Sequence, residues 1–150
     1  MPGAPVANSR GMEGRRILVV DDDLEAREML REFFNDRDYI VETAAGGPEA
    51  LQQLMTFEAD LLVTDLQMPG MSGLELIRAL HATRPDCPAV LMTASVDREL
   101  PLRQLGLRAG FDTLCKPLDL DEMAALADRL TGANASVIRV MDGSLFRNST

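Results

Sequence analysis

Asp60-Leu61-Leu62-Val63-Thr64-Asp65-Leu66-Gln67-Met68-Pro69-Gly70-Met71-Ser72-Gly73 is the stretch that decides the fold. It opens as a short apolar run with β-branched Val63 and Thr64, the pattern of a buried strand. The run meets a carboxylate at Asp65 and breaks into a loop carrying Pro69, Gly70 and Gly73. Leu74 to Leu80 then has helical character, and Ser72 is placed to cap it. Strand, carboxylate, loop and helix form a βα unit with a reactive group at the carboxyl end of its strand. In open α/β sheets, ligands bind at that end. Taken alone, Asp65 reads equally well as an acid closing a turn. The residues it meets from elsewhere in the chain decide between the two.

The same pattern recurs on both sides. Arg15-Arg16-Ile17-Leu18-Val19-Val20 is a basic start followed by unbroken apolarity, as in a parallel strand buried on both faces. It ends in Asp21-Asp22-Asp23. Leu24 to Phe34 follows as an amphipathic helix, with Ala26, Leu30, Phe33 and Phe34 at helical spacing and Asp23 as its cap. Tyr39–Ala44 reads as a second strand. Gly46-Gly47 turns the chain into a short helix that opens with Pro48. After the Asp65 unit, Ala89–Thr93 is the fourth strand. Glu99–Arg108 reads as a short or irregular helix with Pro101 in its first turn, and Gly106 costs it about 1 kcal/mol relative to alanine. Phe111–Cys115 is the fifth strand, closed by Lys116-Pro117. Asp119–Leu130 is the last helix, with Leu120, Met123, Ala127 and Leu130 on one face and Gly132 ending it. Five βα repeats imply an α/β protein, a doubly wound five-stranded parallel sheet with right-handed crossovers and helices on both faces.

The 150 residues are read as a disordered leader (1–14), one domain (15–131) and a C-terminal tail or linker start (132–150). The tail holds a strand-like piece, Val137-Ile138-Arg139-Val140-Met141, with docking on the domain as the alternative. The apolar fraction of 46% supports a real core. A net charge of −9 repels phosphate backbones and anionic lipids, so no direct nucleic-acid or membrane partner is expected. Cys87 and Cys115 lack any CxxC spacing, which argues against a disulfide framework or a zinc site. His81 is read as a solvated residue in the last turn of its helix. The leader has no apolar core of a secretion signal and no run reaches membrane-spanning length, so a cytoplasmic location is expected.

On this scaffold Asp21 and Asp22 end the first strand, Asp65 the third, Thr93 the fourth and Lys116 the fifth. All lie on one rim. Carboxylates crowded together repel each other, which raises pKa values unless a cation joins them. A hard divalent ion such as Mg2+ answers that need with oxygen ligands. Lys116 adds a fixed positive charge and Thr93 a hydroxyl. Together they suit phosphoryl transfer to Asp65, stabilised electrostatically. The plain alternative is a salt-bridged rim in which Lys116 neutralises Asp21 or Asp65.

Ile17-Leu18-Val19-Val20-Asp21-Asp22-Asp23, Asp65-Leu66-Gln67-Met68-Pro69-Gly70-Met71-Ser72-Gly73, Met92-Thr93-Ala94 and Lys116-Pro117 resemble the receiver domain of bacterial two-component response regulators. The resemblance covers residues 15 to 131. It implies a flavodoxin-like strand order 2-1-3-4-5 and Asp65 as phosphoacceptor. It further implies Mg2+ held directly by Asp22, Asp65 and the Gln67 backbone carbonyl, with Asp21 acting through water. Thr93 would follow the phosphoryl group, Lys116 would pair with it, and Lys116-Pro117 would be cis. The implied partners are a histidine kinase or histidine phosphotransfer protein and an unknown downstream protein target. Two departures bear on output. Thr113 stands where the family usually carries an aromatic residue, and the Thr93–Lys116 stretch is about one residue longer than usual.

Three functions compete. The first is a phosphorylatable receiver, a signalling domain rather than an enzyme, acting through protein contacts because a chain of this length leaves no room for an output domain. The second is a pseudo-receiver that works without phosphorylation, against which the full acid set with Thr93 and Lys116 speaks. The third is an aspartate-nucleophile phosphohydrolase, suggested by Asp21-x-Asp23. There Glu25 departs from the expected motif, and turnover of a generic phosphate ester discriminates.

Overall fold

The computed structural model describes residues 14–94 and 96–132. The expected leader and tail, including the strand-like Val137–Met141 piece, lie outside the described residues apart from Gly14 and Gly132.

Strands β1 (Arg16–Val20), β2 (Ile40–Ala44), β3 (Leu61–Asp65), β4 (Ala89–Thr93) and β5 (Asp112–Cys115) alternate with helices α1 (Leu24–Asn35), α2 (Gly47–Leu54), α3 (Gly73–Thr83), α4 (Val96–Ala109) and α5 (Leu120–Leu130). All strand pairings are parallel, in the order β2-β1-β3-β4-β5. The central strands β3 and β4 are buried along their whole length, the burial that their unbroken apolar runs require.

Two cores flank the sheet. Leu30 and Phe34 of α1 pack with Met123, Leu126 and Ala127 of α5 on Ile17, Val19, Leu61 and Val63. On the other face α2, α3 and α4 cover Leu18, Val20, Leu62 and Leu91. Each strand alternates between the two faces, which fixes its register because a one-residue slip would exchange the cores.

The helix starts follow local chemistry. Asp23 accepts from the Glu25 amide at the start of α1. Ser72 and Glu75 form a reciprocal capping box on α3, which satisfies two otherwise unpaired amides. Asp119 caps α5.

Two readings are corrected. Helix α4 is not short: it runs fourteen residues and carries Pro101 inside it. Proline removes one amide donor, but its ring is exposed, and Leu102 and Leu105 still pack on the core. Gly106 has its own reason to be glycine, since a Cβ there would lie 2.2 Å from the Phe111 carbonyl oxygen. His81 is not a solvated helix end. It is half-buried, and its Nε2 lies 2.9 Å from the Cys87 carbonyl oxygen, tying α3 to the segment that leads into β4.

Candidate functional site

β1 and β3 are neighbours, with Val20 opposite Thr64, so Asp21 and Asp65 emerge side by side at the carboxyl rim. Local turn chemistry holds Asp21. Its carboxylate accepts from the Asp23 amide at 3.0 Å, and its carbonyl accepts from Arg27 Nη1 at 2.9 Å. Asp21 is 1% exposed and Asp65 9%, whereas Asp22 is open to solvent. One carboxylate oxygen from each of Asp21, Asp22 and Asp65 lies within 4.8 Å of the other two. Asp23 stands outside this group and spends its side chain on the α1 cap.

Lys116 closes the cluster from the far side of the sheet. Its amide donates to the Thr93 carbonyl at 2.8 Å, which extends the pairing of β5 with β4. Its Nζ lies 3.1 Å from Asp65 Oδ1 and 3.4 Å from Asp21 Oδ2. The Lys116–Pro117 peptide bond is cis, as the resemblance implies. Thr93 ends β4, is 1% exposed and pairs with Cys115. Asp65 pairs with Met92, so Thr93 lies on the rim one residue beyond it. Gln67 follows two residues after Asp65 with its side chain in solvent, while Leu66 donates to the Met92 carbonyl at 2.8 Å and keeps the loop on the sheet.

The electrostatics are unbalanced. Burial pushes the Asp65 carboxyl above its ordinary range; the Lys116 hydrogen bond and charge pull it back, and the charges of Asp21 and Asp22 raise it again. Burial works to lower the Lys116 ammonium, but its hydrogen bond to Asp65 and the charge of Asp21 outweigh this and raise it. One ammonium therefore faces three carboxylates. The donor set is all oxygen and carries excess negative charge, which fits a hard divalent cation.

Gly73 does more than break the loop, the role its place in the sequence suggests. A Cβ at Gly73 would lie 2.1 Å from the Asp65 carbonyl oxygen, so the start of α3 presses directly on the backbone that carries the central carboxylate. The signal was the glycine immediately after a capping serine, but the atom it approaches is set by the loop's path. Thr113 is buried on β5 and its hydroxyl has no hydrogen-bond partner among the described residues. β5 begins at Asp112, so Phe111 sits before the strand; it is buried in the core under α2, α3 and α4.

Acids thus close the adjacent strands β1 and β3, and the lysine that follows β5 faces them on one rim of a parallel α/β sheet. Residues 17–128 match the family model for the response regulator receiver domain, and the chain belongs to that family. The response regulator MprA of Mycobacterium ulcerans is 43% identical over 111 residues, which cover 73% of this chain and 47% of that protein. The chain thus spans about half the length of the curated relatives it matches. Among solved structures, response regulator TrrA of Thermotoga maritima in complex with Mg2+ and BeF is 33% identical, with a TM-score of 0.69, covering 77% of this chain and 98% of that one. Chemotaxis response regulator CheY4 of Vibrio cholerae is 28% identical, with a TM-score of 0.70, covering 78% and 98%. Among the described residues no helix is long and apolar enough to cross a membrane.

Proposed function

We propose that Asp65 is the phosphoacceptor of this receiver domain, and that its donor is a phosphohistidine on a kinase or phosphotransfer protein. A carboxylate oxygen of Asp65 attacks phosphorus as the phosphorus–nitrogen bond breaks. The product is an acyl phosphate, and the leaving imidazole takes up a proton. The observation that carries the reading is the placement of Asp65 between the acid pair and Lys116, with its Oδ1 3.1 Å from the ammonium. Lys116 holds the transferred oxygens by charge, and the Thr93 hydroxyl turns toward them.

Asp22, Asp65 and the Gln67 carbonyl would hold Mg2+ directly, with Asp21 one water removed. The ion would supply charge neutralisation for the phosphoryl oxygens. The accessible Asp22 and the deeply buried Asp21, already engaged by Asp23 and Lys116, support this division. The domain acts as a signalling module, with a protein contact as its output. The phosphohydrolase reading loses ground because Asp23, the second acid of its motif, is a helix cap.

Incubation with acetyl phosphate and Mg2+ followed by intact mass tests the assignment. A single phosphoryl adduct is expected on the wild type and none on Asp65→Asn. Equal labelling of the two would overturn it.

A further inference from the structure

We propose that Arg27 is a positioning residue of the acid rim, whose hydrogen bond to the Asp21 carbonyl fixes the direction of the Asp22 carboxylate. The inference rests on the reading of Asp22 as a direct Mg2+ ligand.

The end of β2 explains why the bond is needed. The Asp21 amide donates to the Ala44 carbonyl at 3.2 Å, and Ala44 is the last residue of β2. The chain then turns away, because the Ala45 amide donates to the Glu49 carboxylate at 2.9 Å and α2 starts at Gly47. In a parallel ladder the amide and carbonyl of one residue point to the same neighbour. The Asp21 carbonyl therefore faces the place where β2 has already left the sheet. Asp21 is buried, and a buried carbonyl without a donor is costly. Arg27 supplies that donor, with its Nη1 2.9 Å from the Asp21 oxygen.

The placement of Arg27 makes this bond, rather than charge pairing, its reason to be there. Its own amide donates to the Asp23 carbonyl, one turn into α1. Helical side chains lean toward the helix N-terminus, which carries the guanidinium back to the rim. A cation there opposes the helix dipole. Among the described residues Arg27 forms no ion pair, whereas Arg31 pairs with Glu28 and Arg37 with Asp128.

The consequence falls on Asp22. A peptide unit is planar, so the Asp21 carbonyl and the Asp22 amide turn together. The Asp21 carboxylate is already engaged by the Asp23 amide and Lys116. Asp22 is exposed, and among the described residues no hydrogen bond holds its side chain. Its direction is set by its backbone, and Arg27 anchors that backbone from α1. As a bare charge Arg27 would do the reverse, since a cation beside three carboxylates repels a second cation. The two roles thus predict opposite signs for its removal.

Mg2+ titration of the 150-residue chain, followed by amide chemical shifts, measures affinity and reports folding in the same spectra. Arg27→Met lacks a donor and suits a helix as well as arginine does. It should weaken Mg2+ binding about tenfold. In metal-free protein it should shift the Asp22 amide while those of Leu62, Val63 and Val90 keep their places. Arg27→Lys keeps a charged donor on a long stem, and should bind Mg2+ more tightly than Arg27→Met. Asp22→Ala is titrated alongside and should lose binding. If it binds as the wild type does, the metal reading falls and this inference with it. If Asp22→Ala loses binding while Arg27→Met binds as tightly as the wild type or more tightly, the metal reading stands and the positioning role is overturned. A lysine variant no better than Arg27→Met overturns it as well, because the donated bond would then carry nothing.

Discussion

Asp128 and Asp65 are both buried acids, 7% and 9% exposed, at opposite ends of the same sheet. Asp128 is fully matched. It takes a hydrogen bond from Tyr39 Oη at 2.5 Å and one from the Arg37 guanidinium at 3.0 Å. Burial and the bond to Asp128 push the Tyr39 phenol up to about 12, so it stays a proton donor. Asp65 shares one ammonium with Asp21, and Asp22 stands beside them both. The first cluster is a clasp that closes the fold where α5 meets β2. The second holds more negative charge than Lys116 neutralises, and the proposed cation and phosphoryl site rests on that imbalance. A buried acid therefore signals binding only when its partners fall short of its charge.

The contrast breaks most sharply at the clasp. Asp128→Ala is expected to cost about 2 kcal/mol, because it takes the acceptor carboxylate from the buried Tyr39 phenol and the ion partner from the partly exposed Arg37 guanidinium. Urea denaturation measures this, and a loss below 0.5 kcal/mol (roughly the level of a neutral surface change) would remove the clasp from the argument.

The acid rim should respond to metal where the clasp does not. Mg2+ at a hundred times its dissociation constant should stabilise the wild type by about 2.7 kcal/mol. Asp22→Ala should weaken Mg2+ binding more than Asp21→Ala, since a direct ligand loses a metal–oxygen bond and a water-mediated one an outer contact. Thermal melts across a Mg2+ titration supply both readings. An unchanged curve for the wild type would count against the site, and the reverse order of the variants against these roles.

Neutralising Asp65 should act with the opposite sign to Asp128→Ala. In metal-free protein at pH 7, Asp65→Asn is expected to gain on the order of 1 kcal/mol, discounted for solvent screening. The folded pKa of Asp65 lies above the ordinary carboxyl value of 3.8. Its burden is therefore absent below that value, grows as pH rises from 3.8 to the folded pKa, and is constant above. The gain from asparagine should accordingly shrink as pH falls toward 3.8. Melts of both proteins from pH 8 downward check this, and a less stable Asp65→Asn at pH 7 would mean that Lys116 already balances the site.

Thr113 shares features of both regions, buried like the clasp and unmatched like the rim. Thr113→Val keeps its shape and removes a hydroxyl without a partner. It should be neutral or stabilising by up to about 1 kcal/mol. A loss of that size in denaturation would show that the hydroxyl is satisfied in solution.

The order of the elements was legible along the chain because its causes are local. Ile17–Val20, Leu61–Val63 and Ala89–Met92 are unbroken apolar runs, as strands covered on both faces must be. Asp21, Asp65, Thr93 and Lys116 mark where each run reaches the rim. Caps at Asp23 and Ser72 depend on neighbours within three residues, so they were readable too. The length of α4 was not, because Pro101 argues locally for a boundary while the packing of Leu102 and Leu105 overrides it.

The sequence by itself determined which residues reach the carboxyl rim, since each stands where a short apolar run ends. Only the tertiary structure decided which of those residues touch. Asp21 meets Lys116 across 95 positions, and Tyr39 meets Asp128 across 89. Such pairs exist because β1 lies beside β3 and α5 returns to the face of α1. Strand adjacency is settled by burial summed over the whole sheet, and no local pattern contains that sum.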